Sequence, residues 1–184
     1  MKNKKSFFVF FVFATVNVLT FASGSMGGYS ASDYLLAEYE ERLILIINSD
    51  TNIEASYYGN FAASKWTLKE FTKRYHEIYK NQKINSLYYG SYAGSKHSLS
   101  TFKKRLEEIN NDSDNILDVF FGAYAGSTNT LPEFKKRFNE IFSDDNTIPK
   151  EYYGSYAGAV STLDEFKNRY DEVSKNKNIA PAYF

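Results

Sequence analysis

An arginine recurs at one position in each of five copies of a repeated segment, and it is the most regularly repeated polar residue of the chain. A planar guanidinium group binds carboxylate and phosphate oxygens through two parallel hydrogen bonds, which a lysine cannot do. A row of such groups has the chemistry to hold an acidic ligand. The five positions are Arg42, Arg74, Arg105, Arg137 and Arg169.

Glutamates flank these arginines at helical spacing. Glu70 precedes Arg74 by four residues and Glu77 follows it by three, and most other copies repeat one or both spacings. On a helix these spacings place acid and base on one face, so one interpretation is a structural ladder of ion pairs, with arginine stems packed on neighbouring tyrosines. The other interpretation is a ligand-binding row. Its candidates are Arg74, Arg105, Arg137 and Arg169.

Aromatic residues are the second excess, with 16 tyrosines and 16 phenylalanines in the chain. Many recur as adjacent pairs such as Tyr57 and Tyr58, and because only one ring of a pair can face a core, we expect the other to be partly exposed. Buried rings would fill the space between repeats, whereas exposed tyrosines could stack on sugars or grip a peptide. The binding candidates among them are Tyr58, Tyr89 and Tyr153.

Residue types that support catalysis are scattered along the chain. The two histidines, His76 and His97, fall at different repeat positions, and we expect both on solvated polar surface. No His, Asp and Glu cluster has metal-ligand spacing, and the GSYAG segments have tyrosine where a nucleophile elbow needs serine. Because an array presents the same residues in every copy, the sequence predicts a protein that is not an enzyme and has no cofactor or metal.

The second half of each repeat has the pattern of an amphipathic helix. Leu68, Phe71 and Tyr75 lie at intervals of three and four residues, which form one stripe at about 3.6 residues per turn. Thr67 and Glu70 form a capping box at the predicted start of this helix, and the same residue types precede the fourth and fifth copies. The third copy begins at a serine without the glutamate, which predicts a weaker cap.

The first half of each repeat is compatible with two structures. With a period of two residues, Tyr88, Gly90 and Tyr92 would line one face of a strand; with a helical period, Gly90 and Gly94 form a small-residue stripe that a second helix can approach. We favour the helix because strands disfavour interior glycine. The predicted fold class is all-α, an αα-hairpin solenoid of about five units, with an α/β strand-plus-helix repeat as the alternative.

One glycine per unit defines the period, and Gly59, Gly90, Gly122 and Gly154 are spaced by 31, 32 and 32 residues. Such a period is typical of stacked supersecondary units that bury their apolar faces together. We predict one repeat domain over 25–184, with units near 25–52, 53–83, 84–115, 116–147 and 148–178. Residues 179–184 repeat the opening of a unit, and we expect this partial unit to cap the last complete one.

Residues 1–24 have the features of a secretory signal peptide, namely three lysines, an apolar run from Phe7 to Leu19 and small residues at the end. The apolar run is shorter than the ~20 residues that span a bilayer, so we expect no membrane span after cleavage. The rest of the chain has 22 acidic and 19 basic side chains, which offers no basic field for nucleic acid. The chain has no cysteine, which excludes disulfides and thiol chemistry.

These patterns predict a secreted, periplasmic or cell-surface repeat protein that binds a protein or peptide on one face. One alternative is a surface or matrix structural protein that associates with further copies of itself. The other alternative is a carbohydrate-binding module, which would use a row of exposed tyrosines.

Overall fold

The computed structural model describes residues 26–81, 83–112, 116–144, 147–176 and 179, so the predicted signal peptide and residues 180–184 of the partial unit lie outside the described part. Every regular element within these ranges is a helix, and none of the described residues lies in a strand. The all-α prediction is therefore confirmed. For the described GSYAG segments the strand alternative is wrong.

Short and long helices alternate along the chain. The short helices are α1 (26–31), α3 (Tyr58–Ala63), α5 (Tyr89–Gly94), α7 (Phe121–Gly126) and α9 (Tyr153–Gly158). The long helices are α2 (Leu36–Ile47), α4 (Leu68–Tyr79), α6 (Leu99–Asn110), α8 (Leu131–Ser143) and α10 (Leu163–Ser174). A 3-10 turn precedes each short helix after the first, at Ala55–Tyr57, Ser86–Tyr88, Asp118–Phe120 and Lys150–Tyr152.

The long helices begin at the predicted caps. The Thr67 hydroxyl accepts a hydrogen bond from the Glu70 amide at 3.3 Å, and the Glu70 carboxylate accepts one from the Thr67 amide at 3.3 Å. Thr162 and Glu165 form the same reciprocal pair at the start of α10. The Ser98 hydroxyl accepts a hydrogen bond from the Thr101 amide of α6. Because position 101 is not a glutamate, the reciprocal bond of a capping box is absent there, as the sequence predicts.

The predicted apolar stripe of each long helix faces the interior. On α4, Phe71 and Ile78 are fully buried and Tyr75 is 1% exposed. The stripe packs against short helices: α2, α4, α6 and α8 each make their main contacts with the short helix that follows in the chain, as α4 does with α5. The tightly packed helix pair is therefore formed between consecutive units, where the sequence predicted a hairpin within one unit.

Consecutive short helices pack on one another, in the order α3, α5, α7 and α9. Glycine permits this close approach: a Cβ atom at Gly126 would lie 2.9 Å from the carbonyl oxygen of Ser91, and one at Gly158 would lie 3.1 Å from that of Ala123. These neighbours are backbone atoms, which cannot move aside as a flexible side chain can. The small-residue stripe is thus the contact between short helices.

The first short helix lies between the last one and α3. A Cβ atom at Gly27 would lie 2.7 Å from the Ser155 hydroxyl oxygen and 2.8 Å from Cδ1 of Tyr152. On its other side, a Cβ atom at Gly28 would lie 3.0 Å from the carbonyl oxygen of Gly59. The series of contacts that starts at α1 therefore returns to α1.

Candidate functional site

Each recurrent arginine reaches from its long helix to the carboxyl end of the next short helix. The Nε of Arg74 donates to the carbonyl oxygen of Ala93 at 3.1 Å, and its Nη2 donates to those of Tyr92 and His97 at 2.9 and 2.7 Å. The last four carbonyl groups of a helix have no hydrogen-bond partner within it. In the six-residue helix α5, most of the carbonyl groups are therefore without such a partner. The guanidinium fork satisfies these carbonyls and joins two units.

The same arrangement recurs at the other four junctions between units. The shared feature is an Nη2 that donates to two backbone carbonyls of the following unit. The pairs of acceptors are Phe61 and Trp66 for Arg42, Tyr124 and Asn129 for Arg105, Tyr156 and Ser161 for Arg137, and Tyr29 and Tyr34 for Arg169. Arg169 makes these bonds to the first unit, 140 and 135 residues earlier in the chain.

A tyrosine lies under the guanidinium group and bonds the glutamate three residues after the arginine. The Arg74 guanidinium carbon is 4.4 Å from the centre of the Tyr92 ring, and the Tyr92 phenol donates to the Glu77 carboxylate. Equivalent triads are Arg105 with Tyr124 and Glu108, Arg137 with Tyr156 and Glu140, and Arg169 with Tyr29 and Glu172. The expected packing of arginine on tyrosine is confirmed, and the tyrosine takes the place of the expected Arg–Glu ion pair.

Burial of these rings keeps the phenols protonated. Burial and, after it, the hydrogen bond to the Glu172 carboxylate together raise the pKa of Tyr29 to about 12, against the opposing charge of Arg169. The pKa values of Tyr92, Tyr124 and Tyr156 are raised by the same causes in the same order. At neutral pH each of these phenols is therefore a hydrogen-bond donor to its glutamate.

The junction between the first and second units departs from the triad at two positions together. Phe61 stands where the other units have the tyrosine, and Leu45 stands where the others have the glutamate. Arg42 still lies over the ring, 4.5 Å from its centre. Because the phenol and its acceptor are lost together, neither polar group is left unpaired. The joint change in the sequence therefore indicates that these two repeat positions are in contact.

The structure buries both rings of the tyrosine pairs in the third and fifth units. Tyr88 and Tyr89 are 9% and 8% exposed, and Tyr152 and Tyr153 are 3% and 2% exposed. The first ring packs on its own long helix, as Tyr152 does on Tyr170, and the second packs on the long helix of the preceding unit. The expectation of one exposed ring per pair is wrong for these units, because each unit has a neighbour on two sides.

The candidate ligand-binding residues are thus placed as follows. Arg74, Arg105, Arg137 and Arg169 are half-buried and donate to backbone carbonyls, Tyr89 and Tyr153 are buried, and Tyr58 is half-buried. Ligand binding by these residues stays a prediction. The carbohydrate-binding alternative needs a row of open rings, and the burial of Tyr89 and Tyr153 removes two members of that row.

His97 has a role at a junction that its repeat position did not indicate. It is half-buried, and its Nε2 lies 2.6 Å from the carbonyl oxygen of Ser127 in the next unit. Trp66 holds the same repeat position and donates from its indole nitrogen to the Ser95 carbonyl at 2.8 Å. His97 and Trp66 share a flat ring with a nitrogen at its edge, although they are different residue types. His76 is also half-buried, beside the Tyr75 ring.

Residues of all five short helices line an open cavity of about 230 Å³. Small neutral residues line it, with one residue of each helix represented by Gly27, Asn60, Ser91, Ala123 and Ser155. No charged side chain of the described residues lines this cavity. The residues that line the cavity are therefore largely those through which the short helices pack on one another.

The outer face of α2 exposes an apolar patch that consists of Ile44, Leu45 and Ile47. These side chains are 56%, 52% and 53% exposed. At the position of Ile44 the later units have His76, Glu107, Asn139 and Asp171, and at that of Leu45 all four have glutamate. The repeated residues do not indicate this patch. It can be found in the sequence only by comparing α2 with the later long helices.

These features define an all-helical protein whose repeated side chains join its units to one another. Among the described residues, no three His, Asp or Glu side chains are grouped as metal ligands. None of the helices in these ranges combines the length and the hydropathy of a membrane span. The chain matches no family model, no curated protein and no solved structure.

Proposed function

We propose that the chain is an exported helical-repeat solenoid of five units closed into a ring, and that it acts as a non-catalytic module that binds a protein or peptide. The closed arrangement is supported by the Arg169 bonds to Tyr29 and Tyr34, which repeat at the fifth junction what the other four arginines do. The cavity that residues of all five short helices line supports it further.

The exposed patch of Ile44, Leu45 and Ile47 is the observation that carries the binding function. The repeated arginines, tyrosines and glutamates contact one another at the junctions between units. Specific binding of a partner is therefore expected at positions where one unit differs from the rest. An exposed apolar cluster on a helix face is typical of a protein interaction site. Three adjacent apolar side chains at positions that are mostly polar in later units fit such a site.

Acidic residues on and just after the same helix indicate the charge that a binding partner would have. Glu38 and Glu41 are exposed on α2, and Asp50 and Glu54 are exposed just after it. The one basic residue of α2, Arg42, donates to carbonyls of the next unit. An apolar patch with acidic neighbours favours a peptide segment that presents apolar anchors beside lysine or arginine.

The test is a peptide-display selection against the chain that begins at Ser25. We expect enriched peptides to combine an apolar anchor with basic residues. Binding should weaken at least about tenfold in the double variant Ile44→Asp with Ile47→Asn, because apolar contact worth more than ~1.4 kcal/mol is lost. These substitutions introduce residues that the equivalent positions Asp171 and Asn110 already have, so the helix itself is preserved.

The matched control is Phe142→Asn, which removes an apolar side chain of 61% exposure from the fourth unit. This variant should bind the selected peptides as the unchanged chain does. Equal affinity of the Ile44/Ile47 variant would contradict the proposal. Sedimentation velocity on the same proteins tests the self-association alternative, since a dimer that the double variant abolishes would mean that a second copy covers the patch.

A further inference from the structure

A second side chain, which we call the bridge, joins consecutive units at the first four junctions. It lies eight residues before the recurrent arginine, and its polar tip is within hydrogen-bond distance of a backbone carbonyl of the following unit. The bridges are Tyr34, Trp66, His97 and Asn129, and they contact the carbonyl oxygens of Ser64, Ser95, Ser127 and Ala159 at 2.9, 2.8, 2.6 and 3.1 Å.

The fifth unit has a serine at the bridge position. This residue is Ser161, and the carbonyl that corresponds to the acceptors above is that of Ser32 in the first unit. The Ser161 hydroxyl oxygen is buried and has no hydrogen-bond partner among the described residues. Because a serine side chain is shorter than any of the four bridges, Ser161 does not make the bridge at the junction between the last and first units.

An open pocket of about 490 Å³ lies at this junction. The residues that line it include Ser161, Glu165 and Arg169 of the fifth unit and Ser32 and Asp33 of the first. Its volume falls in the range of about 300–1,000 Å³ that is typical of small-ligand sites. The pocket therefore contains both residues between which a bridge is missing.

Arg169 offers this pocket a surface on which an aromatic ring can stack. Where the bridge is an aromatic hydrogen-bond donor, the guanidinium group of the same unit lies over its ring, at 5.1 and 5.2 Å in the pairs Arg42–Tyr34 and Arg74–Trp66. The fifth unit has no ring at Ser161 to make this contact with Arg169. A cation over an aromatic face is favourable, so a ring that enters the pocket can take the place of the bridge ring.

The charged side chains of the pocket already have partners within the chain. Asp33 pairs with Lys65 at 3.3 Å. The Glu165 carboxylate accepts a hydrogen bond from the Thr162 amide at 2.8 Å. Arg169 donates to backbone carbonyls of the first unit. These pairings leave the guanidinium face and the Ser32 carbonyl as the features that select a ligand, and both suit a neutral aromatic donor.

We propose that this pocket binds a neutral aromatic group with an N–H or O–H donor at its edge, of which indole and phenol are the simplest. The ring stacks on Arg169 and the donor bonds the Ser32 carbonyl, so the ligand supplies the bridge that Ser161 does not make. A free indole compound and a tryptophan side chain of a peptide share this chemistry. The inference rests on the closed arrangement proposed above and is separate from binding at the α2 patch.

The test is a titration of the chain that begins at Ser25 with indole, followed in amide NMR spectra. We expect saturable shifts centred on Ser32 and Ser161, with a dissociation constant on the order of 1 mM or lower. Benzofuran has the shape of indole with an acceptor oxygen in place of the N–H group, so it should bind at least about tenfold more weakly. Absence of saturable indole shifts, or equal affinity for benzofuran, would overturn the inference.

Two substitutions at the same position separate the empty space from the hydroxyl group. Ser161→Trp places in the pocket the indole that Trp66 has at the equivalent position. Indole binding should therefore weaken at least about tenfold, and the thermal unfolding midpoint should rise by about 2–4 °C. Ser161→Ala leaves the pocket open and should bind indole as the unchanged chain does. Indole binding that survives Ser161→Trp, or that is lost in Ser161→Ala, would contradict the inference.

A direct contact measurement covers the case in which Ser161→Trp does not fold. Nuclear Overhauser effects in the unchanged chain should connect bound indole to the β-protons of Ser32 and Ser161, and their absence at saturation would overturn the inference. Acetyl-tryptophan amide then distinguishes the two sources of the ligand: affinity at least equal to that of indole indicates a peptide side chain, and binding of indole alone indicates a free compound.

Failure of this inference can be told apart from failure of the proposed function. The Ile44/Ile47 variant should bind indole as the unchanged chain does, even where it no longer binds the selected peptides. Closure is tested without any ligand by urea unfolding of Arg169→Lys beside Arg105→Lys. A chain that passes both of those tests and does not bind indole would overturn the pocket alone.

Discussion

The guanidinium carbon of Arg169 lies 4.1 Å from the centre of the Tyr29 ring, although the two residues are 140 positions apart in the chain. Arg105 and Tyr124 have the same 4.1 Å separation within the array. The contact between the last and first units is therefore of the same kind as the contact between neighbours. A repeated side-chain arrangement that joins units can also join the two ends.

Arg169→Lys should destabilise the protein by about 2 kcal/mol, because an ammonium group cannot satisfy two carbonyls and cover a ring at once. Arg105→Lys should cost a similar amount, since its Nη2 also donates to two carbonyls and its guanidinium group also covers a tyrosine ring. Urea unfolding of both variants measures this. The control is Lys136→Ala, at an exposed position of α8, for which we expect a change within about 0.5 kcal/mol. A neutral Arg169→Lys beside a destabilising Arg105→Lys would argue against closure.

Phe61→Tyr with Leu45→Glu should create the missing triad at the first junction. Alone, Phe61→Tyr places a phenol beside Leu45 without its acceptor and should cost about 1–3 kcal/mol. Leu45→Glu alone should be nearly neutral because the side chain is 52% exposed. Together they should recover about 1–2 kcal/mol of coupling energy in a double-mutant cycle.

The reverse cycle at the second junction is the matched comparison for this prediction. Tyr92→Phe with Glu77→Leu removes a triad and should show coupling of the same sign. Additive free energies in both cycles would mean that the phenol and the carboxylate do not depend on each other, whatever their separation in the structure.

Alkaline pH should unfold the protein through the buried phenols. The pKa of Tyr29 is raised from 10.0 to about 12 by burial and by its bond to Glu172. Above pH 10 the unfolded chain loses the proton while the folded chain keeps it. The contribution of this phenol to the free energy of unfolding is therefore fully present below pH 10 and falls as pH rises towards 12. Denaturant unfolding measured across this interval, with tyrosinate absorbance on the same samples, checks the sign. A free energy of unfolding that does not change across it would contradict the prediction.

Local patterns predicted the helices well. The stripe of Leu68, Phe71 and Tyr75 and the cap at Thr67 specify α4 from residues within one helix, and hydrogen bonds of the same kind start α6 and α10. The small-residue stripe of Gly90 and Gly94 correctly favoured a short helix over a strand. Both signals depend on residues within a few positions of one another, which is why sequence alone can supply them.

The sequence by itself determined the class of the fold, the period of the array and the start of each long helix, because these follow from helical periodicity and local caps. Only the tertiary structure decided that Arg74 bonds carbonyls of the next unit and that Tyr88 and Tyr89 are both buried. The rotation and rise from one unit to the next set those contacts, and no single repeat encodes them. The joint replacement at Phe61 and Leu45 is a trace in the sequence of the tyrosine–glutamate contact between units, because a buried phenol and its acceptor are stable only as a pair.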